Sequence, residues 1–301
     1  MTVYGGIEAG GSKWECAIGT GPDDLRATTT LPTTTPAETI DRTVAFFERE
    51  GPVDAVGIGS FGPLDGNPAS PTWGYITTTP KPGWAQTDFG REIKRRLGVP
   101  VAFDTDVNAA ALGEHRWGAA RGLDTSCYIT VGTGIGGGGM VGGKLLHGLL
   151  HPEFGHMRIP HDRDADPFPG VCPYHGDCWE GLCSGPAIER RTSTPAGDLP
   201  PDHPAWDLVT HSVGDAIANL VCTLSPQRIL LGGSVRKAGR LGEEAFFAKV
   251  RTRVRTSLNG YVASPALTEA GIVSYLVPPA LGDDAGVCGA LALGLGAIPR
   301  R

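Results

Sequence analysis

Apolar positions along the chain follow two rhythms. A short apolar run from Val3, the turn Glu8-Ala9-Gly10-Gly11-Ser12-Lys13 and a second run, Trp14-Glu15-Cys16-Ala17-Ile18, predict strand, glycine loop and strand, a hairpin. Over 37–50 the period lengthens: Ile40, Val44 and Phe47 recur at helical spacing and stop at Gly51, which predicts a helix. Residues 54–60 (DAVGIGS) predict a strand. The stretch 61–86 carries Pro63, Pro68, Pro71, Pro80 and Pro82 and reads as loop, before a helix at about 88–97 that ends at Gly98. VPVAFD (99–104) predicts a strand and the Ala-rich DVNAAALGEHRW (106–117) a helix.

From Thr125 the opening pattern returns at larger scale, because SCYITVGTGIGGGGMVGGKLLHG is again strand, glycine loop and strand. An internal duplication is therefore expected. Helices around 207–224 and 243–258 flank the strand RILLGG; a strand near 272–276 and a helix near 285–296 follow. Alternating strands and helices predict α/β layers in both halves. The boundary is drawn near 118–124, giving an N-terminal α/β domain, 1–118, and a C-terminal one, 119–285, with the last helix, 286–301, packing back on the first.

Composition narrows the class. A chain of 301 residues exceeds what one hydrophobic core comfortably serves, so two lobes around a cleft are expected. Its 45 Gly and 25 Pro show no collagen period and mark tight turns and glycine loops. A net charge of −6 argues against nucleic acid or an anionic membrane as partner and favours a small molecule. No apolar stretch reaches the length of a membrane span and the start lacks a secretory pattern, so the chain reads as cytoplasmic. Seven Cys, an odd number, speak against a disulfide framework.

Four motifs can carry chemistry. Gly10-Gly11-Ser12-Lys13 can turn backbone N–H groups toward an anion and add a point charge, although a plain hairpin turn has the same look. Gly132, Gly134 and Gly137 match G-x-G-x-x-G, but the match opens another strand instead of a helix, which rejects a dinucleotide fold. A phosphate cradle with Thr133 as hydroxyl donor remains, and two such hairpins facing each other would grip a polyphosphate. Asp106, after an apolar strand and at the start of a helix, can accept a proton from an attacking hydroxyl or merely cap the helix.

The fourth motif is Cys172-Pro-Tyr-His175-Gly-Asp-Cys178, with His156 sixteen residues upstream as a fourth N/S ligand. Tetrahedral zinc suits that set. The surrounding stretch has five prolines from Pro152 to Pro173 and little apolar content, so a metal clip would supply order that a core cannot. His151 and His161 compete as ligands, while Cys16, Cys127, Cys183, Cys222 and Cys288 read as buried small hydrophobes. Glu153 and Glu180 bracket this loop as possible hydroxyl acceptors, and turns at Gly232-Gly233-Ser234 and 282–286 suit a nucleotide or a plain connection.

Taken together, IEAGGSK, GSFGPLD, DTDVNAAALGE, ITVGTGIGGG, HPEFGH, CPYHGDCWEGLCSGPAI, ILLGGSV and GDDAG resemble the ROK family of sugar kinases and repressors, and within it the zinc-containing bacterial fructokinases. The resemblance spans nearly the whole chain. It implies an α/β, actin-like and hexokinase-like (ribonuclease H-like) pair of domains around a cleft, and ATP-dependent phosphorylation of a hexose, D-fructose first and mannose or glucose as alternatives. It implies Asp106 as general base, and ATP bound by Gly10, Gly11, Ser12, Lys13, Gly132, Thr133, Gly134, Pro186, Gly233, Gly282, Asp283, Asp284, Ala285 and Gly286 with Mg2+. Glu153, His156 and Glu180 match sugar-contacting positions, and His156, Cys172, His175 and Cys178 the ligands of a structural zinc in the loop 151–180. A homodimer is the expected assembly on symmetry grounds.

Three departures stand out. Glu8 replaces a common Asp, Thr105 replaces the Asn usual in glucokinases, and C-x2-H-x2-C replaces a three-cysteine cluster. The last two favour fructokinase. A sugar-sensing repressor would need a helix-turn-helix, and the first strand begins at residue 3.

Overall fold

The computed structural model describes residues 2–298. The end of the expected final helix, 299–301, lies outside the described residues. The chain divides into two compact units. One holds the described residues up to Gly122, Gly138–Pro152 and those from Ala280 onward; the other holds Leu123–Gly137 and Glu153–Pro279. The return of 138–152 to the first unit is a division that no single cut in the chain produces.

The first unit opens with β1 (Tyr4–Ala9), β2 (Lys13–Gly21) and β3 (Asp24–Pro32), followed by α1 (Pro36–Glu50) and β4 (Ala55–Ser60). A two-stranded ribbon, β5 (Tyr75–Ile76) and β6 (Thr87–Asp88), interrupts the proline-rich loop; α2 (Gly90–Leu97), β7 (Val101–Thr105) and α3 (Asp106–Trp117) complete the run. The sheet order is β3-β2-β1-β4-β7, with the hairpin antiparallel and β1, β4 and β7 parallel. Every residue of β4 is buried, as expected of a parallel strand covered on both faces. The helix starts have local causes: Thr35 caps α1 with Pro36 at its first position, and Thr105 Oγ1 accepts from Asn108 N at 3.1 Å to cap α3. Ile40, Val44 and Phe47 pack into a core with Trp14, Trp84, Phe89 and Phe103.

The second sheet runs β10-β9-β8-β11-β12, from β8 (Ser126–Val131), β9 (Ile135–Val141), β10 (Lys144–Leu145), β11 (Arg228–Gly232) and β12 (Leu276–Val277). Three meander strands followed by parallel strands repeat the plan of the first sheet, as the duplicated pattern predicts. The turn joining β9 to β10 is Gly142-Gly143, both at positive φ, the backbone a two-residue hairpin demands. The helices are α4 (Trp179–Cys183), α5 (Gly185–Thr192), α6 (Ala205–Leu224), α7 (Glu243–Leu258) and α8 (Ile272–Tyr275). The second core gathers Trp206, Val209, Val213 and Ile217 of α6 with Phe246, Val250 and Val254 of α7. The chain returns to the first unit and ends in α9 (Ala285–Gly296), apolar all round and buried over Ala285–Gly294.

Two expectations fail, and one strand goes unannounced. The strand expected near 272–276 is instead one helical turn, α8, burying Ile272 and Tyr275 three residues apart, and only Leu276–Val277 pairs with β11. The apolar run IVSYLV, rich in β-branched and aromatic residues, has strand propensity, but packing overrides it. Cys222 is exposed on the outer side of α6. The third strand, β3, is an element the sequence reading leaves out: its half-buried face, Leu25, Ala27, Thr29 and Leu31, is only weakly apolar, because Thr28–Thr30 interrupts the alternation.

Candidate active site and metal centre

In the first unit, candidate groups follow β1 and β7 and precede α9. The loop Gly10–Lys13 closes on itself, with Gly10 N donating to Lys13 O at 3.0 Å, and Thr33 holds it from the side: its N–H donates to Ser12 O at 3.0 Å and its Oγ1 to Gly10 O at 2.7 Å. Lys13 pairs with Glu15, which raises its ammonium above the usual range. Behind the loop, the Glu8 carboxyl lies against Gly286, where a Cβ would come within 2.1 Å of it. Val287 N donates to Glu8, yet Oε2 is buried with no hydrogen-bond partner. Desolvation first, then Glu15 and Asp106, push the Glu8 carboxyl up to about 8. Gly282, at φ +61°, opens the 282–286 turn into α9.

Asp106 is the first residue of α3, and its Oδ1 accepts from Val107 N at 2.8 Å. The capping duty belongs to Thr105, so the bland role left open for Asp106 is already filled. Burial raises the Asp106 carboxyl to about 6. Beside it, Asp104 is buried in a network the sequence does not announce. Its Oδ1 accepts from Thr105 N at 2.7 Å and Asn108 Nδ2 at 2.9 Å, and its Oδ2 meets His147 Nε2 at 2.8 Å. Asn108 Oδ1 accepts in turn from Gly139 N at 3.2 Å. The Asp104 bond raises the pKa of His147.

In the second unit the glycine loop is held by other segments. Gly132 N donates to Gly134 O at 2.8 Å, and Gly185 N donates to Gly132 O at 2.7 Å, placing Pro186 next to the loop. Glu180, in the first turn of α4, accepts from Ile135 N at 2.9 Å through Oε2, which lies only 2.8 Å from where a Cβ on Gly134 would stand. Gly233, at φ +86°, presses against Val131, the residue before the loop. Glu180, Gly185 and Gly233 therefore all pack against the Gly132–Gly134 loop or the residues flanking it. Glu153 is exposed at the head of the short 3-10 turn Phe154–His156.

That turn delivers His156 to a cluster with Cys172, His175 and Cys178, whose donor atoms all lie within 4.8 Å of one another. His156 Nδ1 is 3.7 Å from Cys172 Sγ and 3.6 Å from Cys178 Sγ, and His175 Nδ1 is 3.5 Å from Cys172 Sγ. Metal–sulfur bonds of about 2.3 Å and metal–nitrogen bonds of about 2.05 Å meeting tetrahedrally give an S···N edge of about 3.6 Å, so the donor set matches a four-coordinate ion. The competitors lie elsewhere. His151 Nε2 accepts from Leu64 N at 3.1 Å in the first unit, and His161 sits between Asp177 and Asp166. Asp177 also binds Arg158 and Arg163 at 2.6 Å each, and His161 and Arg163 hold its carboxyl down to about 2. All seven cysteines are free thiols.

The ROK family signature matches residues 4–296. The chain belongs to the ROK family. It is 43% identical to a fructokinase of Zymomonas mobilis over 98% of this chain and 97% of that protein, and 40% identical to a fructokinase of Pediococcus pentosaceus over 98% and 99%. Its fold is similar to that of a ROK family glucokinase from Streptomyces griseus solved in complex with glucose and AMPPNP, at a TM-score of 0.75 and 26% identity over 98% and 99% of the chains. The expected actin-like sugar-kinase architecture is thus that of a ROK protein. Two parts of this ROK site escape sequence reading, the His147–Asp104–Asn108 network and the Glu180 clamp on the glycine loop. Both depend on which loops fold beside one another, and only the HGLLH run hinted that residues near 147 take part.

Proposed function

We propose that this chain transfers the γ-phosphoryl group of ATP to the 6-hydroxyl of a hexose, with D-fructose as preferred substrate. The observation that carries the reading is Asp106, a desolvated carboxylate relieved of capping by Thr105, in a chain that matches fructokinases end to end. Asp106 takes the hydroxyl proton as the sugar oxygen bonds to the γ-phosphorus, and the bond to the β–γ bridging oxygen breaks to release ADP. Gly10, Gly11, Ser12, Lys13, Gly132, Thr133 and Gly134 face the phosphates; Pro186, Gly233 and 282–286 line the nucleotide. Glu153, Glu180 and Nε2 of His156 hold sugar hydroxyls, since Nδ1 of His156 is turned to the cysteines.

Zinc suits the His156, Cys172, His175 and Cys178 set, where two thiolates and two imidazoles leave no open position and so make a structural rather than catalytic site. The orphaned Oε2 of Glu8, next to the first phosphate loop, suits Mg2+ arriving with ATP, which supplies neutralisation of phosphate charge. A cytoplasmic setting goes with this reading, since unpaired cysteines and ATP both suit a reducing compartment.

ADP release from Mg2+–ATP with fructose, mannose, glucose and N-acetylmannosamine in parallel tests the reading, with D106N as blank. Turnover with fructose alone, lost in the blank, is the expected result. Turnover with several hexoses would withdraw the fructose preference, and none with any sugar would overturn the kinase reading.

A further inference from the structure

Glu114 lies in the last turn of α3, wholly buried, and its charge is received by three main-chain amides. Oε2 accepts from Ala119 N at 2.7 Å and Ala280 N at 3.1 Å, while Oε1 accepts from Leu281 N at 2.8 Å. Its own carbonyl takes the N–H groups of Gly118 at 3.0 Å and Ala120 at 3.1 Å. The turn after α3 is therefore wrapped around this one side chain, and the approach requires Gly118, where a Cβ would lie 2.1 Å from Oε2. The same carboxylate reaches 166 and 167 residues along the chain to Ala280 and Leu281. A buried carboxylate that loses one of three charge-assisted bonds leaves an amide unpaired, so these segments are fixed jointly or not at all.

Leu281 is the residue before Gly282. At the other end of the turn, Gly286 is packed on the Glu8 carboxyl. The stretch 282–286 is thus anchored on one side by Glu114 and on the other by Glu8, with a positive-φ glycine between them. We propose that Glu114 is a positioning residue for the nucleotide: it touches no ligand and sets the backbone of the 282–286 turn against which ATP binds. The inference rests on the kinase reading in assigning that turn to ATP. Sugar affinity is expected to depend on it far less, because Glu153, His156 and Glu180 belong to the other unit and Asp106, the sugar-facing residue of this one, heads α3 at the end opposite Glu114.

The test is E114Q in the full chain. Gln keeps size and burial but offers one acceptor oxygen where Glu offers two, so an amide donor of Gln must face a backbone N–H. Calorimetric titration with Mg2+–AMPPNP, which needs no turnover, should show affinity weakened about tenfold, with the KM for fructose changed by less than about twofold. G118A keeps the carboxylate and displaces it, and should give the same split in smaller measure; if E114Q does not fold, G118A decides. Unchanged AMPPNP affinity in a folded variant, or equal weakening toward AMPPNP and fructose, would overturn the inference. If the wild-type chain binds AMPPNP but transfers no phosphate to fructose, the substrate reading falls while the role of Glu114 still stands or falls on nucleotide affinity. If the wild-type chain binds no AMPPNP, the assignment of the turn and this inference fall together.

Discussion

The two glycine hairpins share a sequence plan and differ in what holds them. Gly10–Lys13 is closed by its own backbone and steadied by Thr33, next to the antiparallel β1–β2–β3 ladder. Gly132–Gly134 is gripped from outside, by Glu180 on Ile135 N and by Gly185 on Gly132. Those clamps sit on α4 and at the start of α5, and the N-cap of α4 is Cys178, one of the four clustered donors. A line of contacts therefore runs from the His/Cys cluster through Cys178 and the first turn of α4 to the backbone of the second loop. The first loop has no such dependence. One duplicated motif is stabilised by a sheet and the other through a helix capped by the His/Cys cluster proposed to hold zinc, and perturbing each should give a different signature.

The largest effect expected is on chemistry in the first unit. D106N retains the shape of the carboxyl group and loses the proton acceptor, so turnover should fall by about 10²–10⁴-fold with sugar affinity and thermal midpoint nearly unchanged. Steady-state kinetics with fructose, together with fructose binding by calorimetry, check this; an undiminished rate removes Asp106 as base.

Next in size is an effect that separates the two loops. Zinc removal by chelation, or C178S, should raise the fructose KM about tenfold. Peptides covering 132–137 and 151–180 should exchange amide hydrogen faster, while those covering 10–13 keep their protection. A fully active, metal-free preparation contradicts the dependence, and equal loosening of both loops removes the contrast.

The asymmetry also explains what the sequence could and could not disclose. Helices α1 and α3 were legible because local sequence and a Thr cap agree with the final packing, and α9 and strands β4, β7 and β11 because each is a bounded apolar run; α3 even starts and stops at its expected residues. The His/Cys cluster was legible because C-x2-H-x2-C keeps three donors within seven residues, and His156 was the fourth by spacing. What stayed hidden is what long-range packing alone creates. The Glu180 grip spans 45 residues, the His147–Asp104 bond 43, and the reach of Glu114 to Leu281 167. Residues 272–275 misled because a strand-like pattern of apolar residues also fits a single buried helical turn.

A smaller effect should appear in the pH profile. Burial raises the Asp106 carboxyl to about 6, so the base is increasingly protonated below that pH. kcat/KM for fructose should drop about tenfold per unit on the acid side of pH 6. A profile flat to pH 5 would mean that proton acceptance by Asp106 does not limit the reaction.

The smallest effect concerns the stability of the first unit. Glu8 holds its proton up to about 8 in the fold, against an ordinary value of 4.5 in the unfolded chain. The folded state thus binds more protons between those values, and stability is lost as pH rises from about 4.5 to about 8. The cause is burial of the carboxyl behind Gly286, so the slope belongs to the folded first unit alone. E8Q should flatten that slope in urea unfolding without added nucleotide, leaving the second unit unaffected. Mg2+–ATP should reverse the preference in the wild-type chain, because a cation at the orphaned Oε2 favours the carboxylate. Calorimetry at pH 7 in buffers of different ionisation heat should then register proton release on binding, absent in E8Q. Equal heats in all buffers would detach Glu8 from the bound cation and leave it as a buried acid serving only the packing of Gly286.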